Sequence, residues 1–267
     1  MLLKNQFKLQ SILPLMSSVI ELSEKDYKGF SANVAHFAKS IALNFKLDEE
    51  QIEQTYFACL LMGIGKISLA EKLVKTPYLN LAKEDQKHYE KHSERAESCL
   101  ASIEALQPVS KIIRHIYENY NGSGYPDRLK AEHIPLPSRI IRICSDYFLL
   151  KHGLITAEKM TTEDALAYID KNLDQLYDRE LFCSLKSHTL TLEKLGQDNQ
   201  QLKADELEVG MIIAKDLESP TGGFLLPAGT LIDHDIINKL SNITAQTNQY
   251  ITVEVRPFNP LKPNRKK

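Results

Sequence analysis

Ile112–Asp146, IIRHIYENYNGSGYPDRLKAEHIPLPSRIIRICSD, decides how the rest of the chain is read. Two apolar, helix-periodic segments flank a loop that contains Asn121-Gly122-Ser123-Gly124-Tyr125-Pro126. Asn-Gly, Ser-Gly and a proline this close together require a tight path, with positive φ expected at the glycines. Such a path brings backbone N–H groups close to an anion or to a partner chain. On spacing alone it is a connector between two helices.

Outward from the loop, the periodicity is helical. Val34, Ala35, Phe37, Ala38, Ile41, Ala42 and Phe45 bury one helical face. Asp48 followed by Gln51 is a capping-box start for the next helix. Asn80 is expected to open a long helix carrying His88, His92, Cys99 and Ile103, and Pro108 another that ends near Glu118. Pro137 suits the first position of a helix from Ser138 to Leu150. Helical units from Thr162 to Leu173 and from Asp178 complete a bundle. An interrupted helix near Pro14 precedes them.

Character changes near Leu202. Short apolar stretches separated by Gly222-Gly223 and Pro227-Ala228-Gly229 are strand-like, Asp233–Leu240 reads as a short helix and Tyr250–Val255 as a closing strand. The expected architecture is therefore mainly α: a helical bundle over residues 1–200, a small β-rich module over 201–256 and a disordered basic tail over 257–267. So small a module is expected to pack on the bundle or on a second copy, which leaves a homodimer open.

Composition narrows the function classes. At 267 residues, 43% hydrophobic and 25% charged, the chain is of ordinary globular type. A formal charge of −2 argues against nucleic acid as the main partner. No apolar run is long enough to span a bilayer. Cys59, Cys99, Cys144 and Cys183 form no CxxC pair and read as buried free thiols of a reducing, cytoplasmic compartment. No nucleophile elbow, P-loop or dinucleotide fingerprint stands in the right context.

GSGYP, followed by Leu129-Lys130, Ile134-Pro135-Leu136 and Ser138-Arg139-Ile140-Ile141, resembles the signature segment of the HD-GYP family. Members are bacterial proteins, mostly metal-dependent phosphodiesterases of cyclic di-GMP. The resemblance implies the helical bundle of the HD superfamily, with metals held between helices to activate water and neutralise phosphate. Against that pattern this chain is degenerate. An early Gly-His pair is here Gly29-Phe30, and the name-giving His-Asp is Met62-Gly63, with Ile64-Gly65-Lys66 kept behind it. A His-His pair falls on Ile116-Tyr117, and His115, one position early, points about 100° away on a helix. His92, Glu118 and Asp146 remain as remnant ligand positions. No metal, cofactor or catalytic residue is therefore expected. His88 and His92 also have the spacing of a helical metal clamp, but lysines and glutamates surround His88.

Two binding roles and one enzymatic role follow as expectations. Lys66, Tyr125 and Arg139 match positions that the resemblance places near substrate phosphates, so they could form a metal-free recess with weak affinity for a cyclic dinucleotide. The loop Asn121, Gly122, Ser123, Gly124, Tyr125 and Pro126 is implied to dock a protein such as a diguanylate cyclase domain, and docking is the preferred reading. The enzymatic alternative is a residual one-metal phosphodiesterase using His92, Glu118 and Asp146.

Overall fold

The structure is a computed structural model that describes residues 12–13, 15–17, 19–21, 30–195, 199–215, 217–219, 224–226, 230, 232, 234–247 and 250–256. Gly29, Pro14, residues 221–223 and 227–229, and residues 257–267, on which the expectations of glycine turns and a disordered tail fall, lie outside them. The chain divides into two compact units, Met1–Ser187 and His188–Lys267.

In the first unit, α1 (Phe30–Asn44) and α2 (Glu49–Leu61) form an antiparallel pair. Asp48 caps α2 as expected: its side chain accepts from the Gln51 N–H, and the Gln51 side chain accepts from the Asp48 N–H. A 3₁₀ turn, Ile64–Lys66, leads through α3 (Glu71–Lys75) to α4 (Lys83–Glu90) and α5 (His92–Leu100). The long helix expected from Asn80 is thus two helices broken at Lys91. The break turns Ser93, Ala96 and Leu100 inward and leaves Cys99 exposed. Cys183 is exposed too, so only Cys59 and Cys144 are buried thiols.

α6 (Gln107–Arg114) ends earlier than the sequence suggests, with His115 at its cap, so Ile116, Tyr117 and Glu118 lie beyond the helix. α7 (Leu136–His152), with proline in its first turn as expected, packs on α1, α2 and α8 (Thr162–Lys171). Its Ser138 hydroxyl donates to the Ile112 carbonyl at 2.8 Å, inside the core. α9 (Arg179–Leu195) follows, with the Asp178 carboxylate accepting the Glu180 N–H at 2.9 Å.

The second unit carries a three-stranded antiparallel sheet in the order β1 (Gln200–Lys203), β5 (Thr252–Arg256), β2 (Ile212–Ile213). A second hairpin pairs β3 (Leu217–Glu218) with β4 (Phe224–Leu226), and α10 (His234–Thr247) lies between β4 and β5 in sequence. Leu207, Ile213, Ile232, Leu240, Val253 and Val255 build its own small core.

Candidate functional site

Apolar side chains occupy most of the positions that the resemblance assigns to metal ligands. Phe30 is buried on α1 and meets Phe148 edge to face, with ring centroids 6.5 Å apart. Met62 and Ile116 are buried in the core. Gly63 has no side chain, and an added Cβ there would lie 2.9 Å from Ile20. Tyr117 is buried, with its ring against His92 at 4.6 Å.

The three remnant donors are bound up differently. His92 is fully buried, and its Nδ1 sits 2.6 Å from the Tyr89 carbonyl, an arrangement that makes Nδ1 the protonated nitrogen. Burial, helped by the Lys66 charge, pushes its pKa down to about 3, so the ring is neutral. Its Nε2 is buried without a partner. That is a ligand-competent tautomer, but it stands by itself. Glu118 accepts the Asp127 N–H at 2.7 Å and the Leu129 N–H at 3.1 Å. Asp146 Oδ2 accepts from Arg142 Nε at 2.6 Å and from the Tyr177 hydroxyl at 2.9 Å. Among the described residues no three His, Cys, Asp or Glu side chains form a group able to hold a metal ion. A metal pair needs several imidazoles and a bridging carboxylate, and these donors do not fit it.

The loop is held by polar contacts. Gly122 has φ +86°, as a turn glycine should. Gly124 does not share it, contrary to the expectation from sequence, and its need for glycine is different. A Cβ there would fall 2.5 Å from the Glu118 Cα and closer still to the Asn119 nitrogen, so the loop lies directly on backbone. Asn121 bonds to Gln175 through its side chain at 2.8 Å and through its N–H to the Gln175 carbonyl at 3.0 Å. Arg114 grips Asp127 through two nitrogens at 2.7 Å, and His115 Nε2 lies 2.9 Å from the same carboxylate. His115 therefore serves the loop and does not approach a metal position. The Arg114 and His115 contacts hold the Asp127 carboxyl down at about 2.

Behind the loop lies a cavity of about 220 Å³. Lys66 and Tyr125 line it. Arg139 does not: its Nη1 is 2.6 Å from Asp178, and its Nε donates to the Ile134 carbonyl at 3.1 Å, which ties α7 to the start of α9. The cation that does enter is Arg142, which the sequence reading misses. Its partner Asp146 lies four residues on, a helical ion-pair spacing that is the available signal. The guanidinium lies over the rings of Tyr117 at 5.5 Å and Tyr177 at 6.0 Å, and its buried Nη1 has no hydrogen-bond partner in the protein. Burial is the largest single influence and opposes its charge, but the charge and hydrogen bond of Asp146, together with Tyr177 and Tyr125, leave its proton affinity raised. Tyr117 and Tyr125 form a second wall, their rings 2° from parallel with centroids 5.6 Å apart. Burial pushes the Tyr117 hydroxyl up to about 12 and that of Tyr125 well above its usual value, so both are neutral. The lining thus joins two cations and two hydrogen-bonded carboxylates, Glu90 and Asp146, to neutral aromatic rings.

Known proteins share this framework. Residues 14–181 match the family described as HD domain. The cyclic di-GMP phosphodiesterase response regulator RpfG of Xanthomonas campestris is 26% identical over 185 residues, 68% of this chain and 49% of the relative. A cyclic di-GMP phosphodiesterase of Thermotoga maritima is 23% identical over 73% of this chain and 52% of its own length. The chain thus spans about half the length of these two curated relatives. Among solved structures, a cyclic GMP-AMP phosphodiesterase of Vibrio cholerae superposes with a TM-score of 0.57 at 16% identity, over 70% of this chain and 50% of the other. The HD-GYP-type protein Bd1817 of Bdellovibrio bacteriovorus gives 0.54 at 14% identity, over 61% and 52%. Both are likenesses of fold.

Proposed function

The chain belongs to the HD-domain family, and from that premise we propose that this member acts by binding and not by hydrolysis, in bacterial signalling linked to cyclic dinucleotides. The relatives, named as phosphodiesterases of cyclic di-GMP and 3′3′-cGAMP, supply the pathway. One observation carries the rest. Both surviving carboxylates, Glu118 and Asp146, are committed to protein donors, and where further donors would stand Phe30, Met62, Ile116 and Tyr117 fill the space. What remains in the cleft is Lys66 and Arg142 beside the engaged carboxylates Glu90 and Asp146, with aromatic walls. The test is incubation of the full chain with cyclic di-GMP and 3′3′-cGAMP in the presence of Mn²⁺ or Fe²⁺, alongside metal analysis of the purified protein. The expected result is intact dinucleotide and sub-stoichiometric metal. Multiple turnover overturns the reading.

Docking of a partner protein on the loop is the second reading, and the fixed geometry of the loop favours it. A segment already tied by Asn121, Asp127 and Glu118 loses little freedom on association. Gly124 and Tyr125 are structural here, so the exposed Ser123 is the residue to change. Ser123→Arg should abolish capture of a partner such as a diguanylate cyclase domain while leaving the thermal melt unmoved. Undiminished capture removes the loop from the interface.

A further inference from the structure

Resting on the reading that the cleft binds without hydrolysing, we infer that its ligand is a small aromatic carboxylate, one ring or a fused pair with a single anionic group, and not a whole cyclic dinucleotide.

Size is the first reason. The cavity holds about 220 Å³. An apolar cavity of roughly 150 Å³ accepts one benzene, and sites for drug-sized ligands begin at about 300 Å³. The space suits a substituted ring or a fused pair. Two nucleobases with their sugars and phosphates exceed it.

Charge is the second. Arg142 and Lys66 both line the space, and the Asp146 carboxylate engages Arg142 through Nε. The carboxylates of the lining already have donors: Asp146 has Arg142 and Tyr177, and Glu90 accepts the Tyr78 hydroxyl at 2.7 Å. A guanidinium that keeps further N–H groups beyond its ion pair favours a charged acceptor, and such bonds are about twice as strong as neutral ones. Tyrosine-lined cavities also suit quaternary ammonium ligands, but with both carboxylates of the lining engaged and two cations beside them, an anion is the better match.

Shape is the third. Arg142, Asp146 and Leu149 follow one face of α7, and all three line the cavity. The rise along the helix separates Arg142 from Leu149 by roughly 10 Å. Leu154, Ile155 and Val74 extend the apolar end, and the parallel rings of Tyr117 and Tyr125 offer a flat wall. A planar body with its anion toward Arg142 and its hydrocarbon edge toward Leu149 satisfies every part of this lining.

The test is isothermal titration of the full chain with benzoate, 4-hydroxybenzoate, naphthalene-2-carboxylate, naphthalene-2-carboxamide and cyclic di-GMP. At least one carboxylate should bind, the neutral carboxamide should bind roughly tenfold more weakly or not at all, and cyclic di-GMP should give no heat. Lys66→Met should weaken the carboxylate and leave the carboxamide unchanged. Leu154→Trp, which fills the apolar end, should abolish binding without moving the melt; these two variants avoid the buried Arg142–Asp146 pair, whose loss could unfold the chain. Equal affinity of carboxylate and carboxamide overturns the anionic anchor, and silence of every carboxylate overturns the inference. Heat from cyclic di-GMP without hydrolysis overturns the inference while the binding reading stands. Turnover of cyclic di-GMP brings down the binding reading itself.

Discussion

The loop and the cleft meet at Tyr117 and Tyr125, yet they are held by opposite means. In the loop, carboxylates bind backbone and cations: Glu118 takes two N–H groups, and Asp127 takes Arg114 and His115. In the cleft, rings and aliphatic chains stand where metal donors would be, with the buried ion pair Arg142–Asp146 among them. The difference shows what each polar group was for. A side chain that bonds buried backbone cannot be replaced by an apolar one without orphaning N–H groups. A side chain whose only partner is a metal can be replaced once the metal is dispensed with, and its substitute adds to the core.

The largest expected effects therefore lie on the loop side. Glu118→Ala strips two N–H groups of a charged acceptor in a buried setting and should cost about 4 kcal/mol in urea unfolding. Glu118→Gln keeps one acceptor oxygen and should cost about half as much. Equal costs would mean that charge, and not N–H acceptance, is what the loop requires. Gly124→Ala drives a methyl into the Glu118–Asn119 backbone and should cost about 3 kcal/mol. A neutral result would show that the loop can lift off its support, and the contrast between a rigid loop and an adaptable cleft would disappear.

Acid should separate the regions the other way. His92, whose ring packs on Tyr117 of the cleft, has its pKa lowered to about 3 by burial and by Lys66. Unfolded, it titrates near its ordinary value. Between the two values only the unfolded chain takes the proton, so this contribution is complete above the ordinary histidine pKa and is lost as pH falls toward the folded value. By pH 5 the loss from this one ring is about 2 kcal/mol. Asp127 loses its contribution in the same direction but in a lower window: its ion pairs are intact at pH 5 and are lost only as pH falls from the ordinary carboxylate value toward about 2. His152 and His188 are also depressed by burial and add a common slope. The measurement is thus the difference in pH dependence between wild type and His92→Gln. A flatter profile in the variant is expected; parallel profiles would place the acid-sensitive group elsewhere.

Much of this architecture is legible in the amino-acid order wherever the signal is local. The Asp48–Gln51 capping box and the proline in the first turn of α7 are short-range chemistry, and both stand as expected. The break at Lys91 carries no proline or glycine, and Ser93 and Ala96 are buried directly after it. β1, Gln200–Lys203, is polar and almost wholly exposed, and its antiparallel pairing with β5 makes it a strand. In the cleft, the resemblance points to Arg139, but α9 supplies Asp178 to hold that side chain. Arg142 is hidden because its role comes from aromatic rings brought in by the loop and by Tyr177, which no spacing reveals.

The smallest expected effect is the sharpest check on how rigid the loop is. Asp127 receives Arg114 in a paired, two-nitrogen contact, but about a third of its side chain is exposed, and water screens the pair. Asp127→Asn keeps the backbone N–H that Glu118 accepts and removes only the charge. The loss should be about 1 kcal/mol, smaller at high salt as an exposed pair requires. Because the Glu118 contact survives, ligand heat in the cleft should be unchanged and Tyr125 should keep its place against Tyr117. A loss of cleft binding in Asp127→Asn would mean that the outer ion pair, and not the inner carboxylate, sets the position of Tyr125. The division between a polar loop and an apolar cleft would then be a single coupled unit.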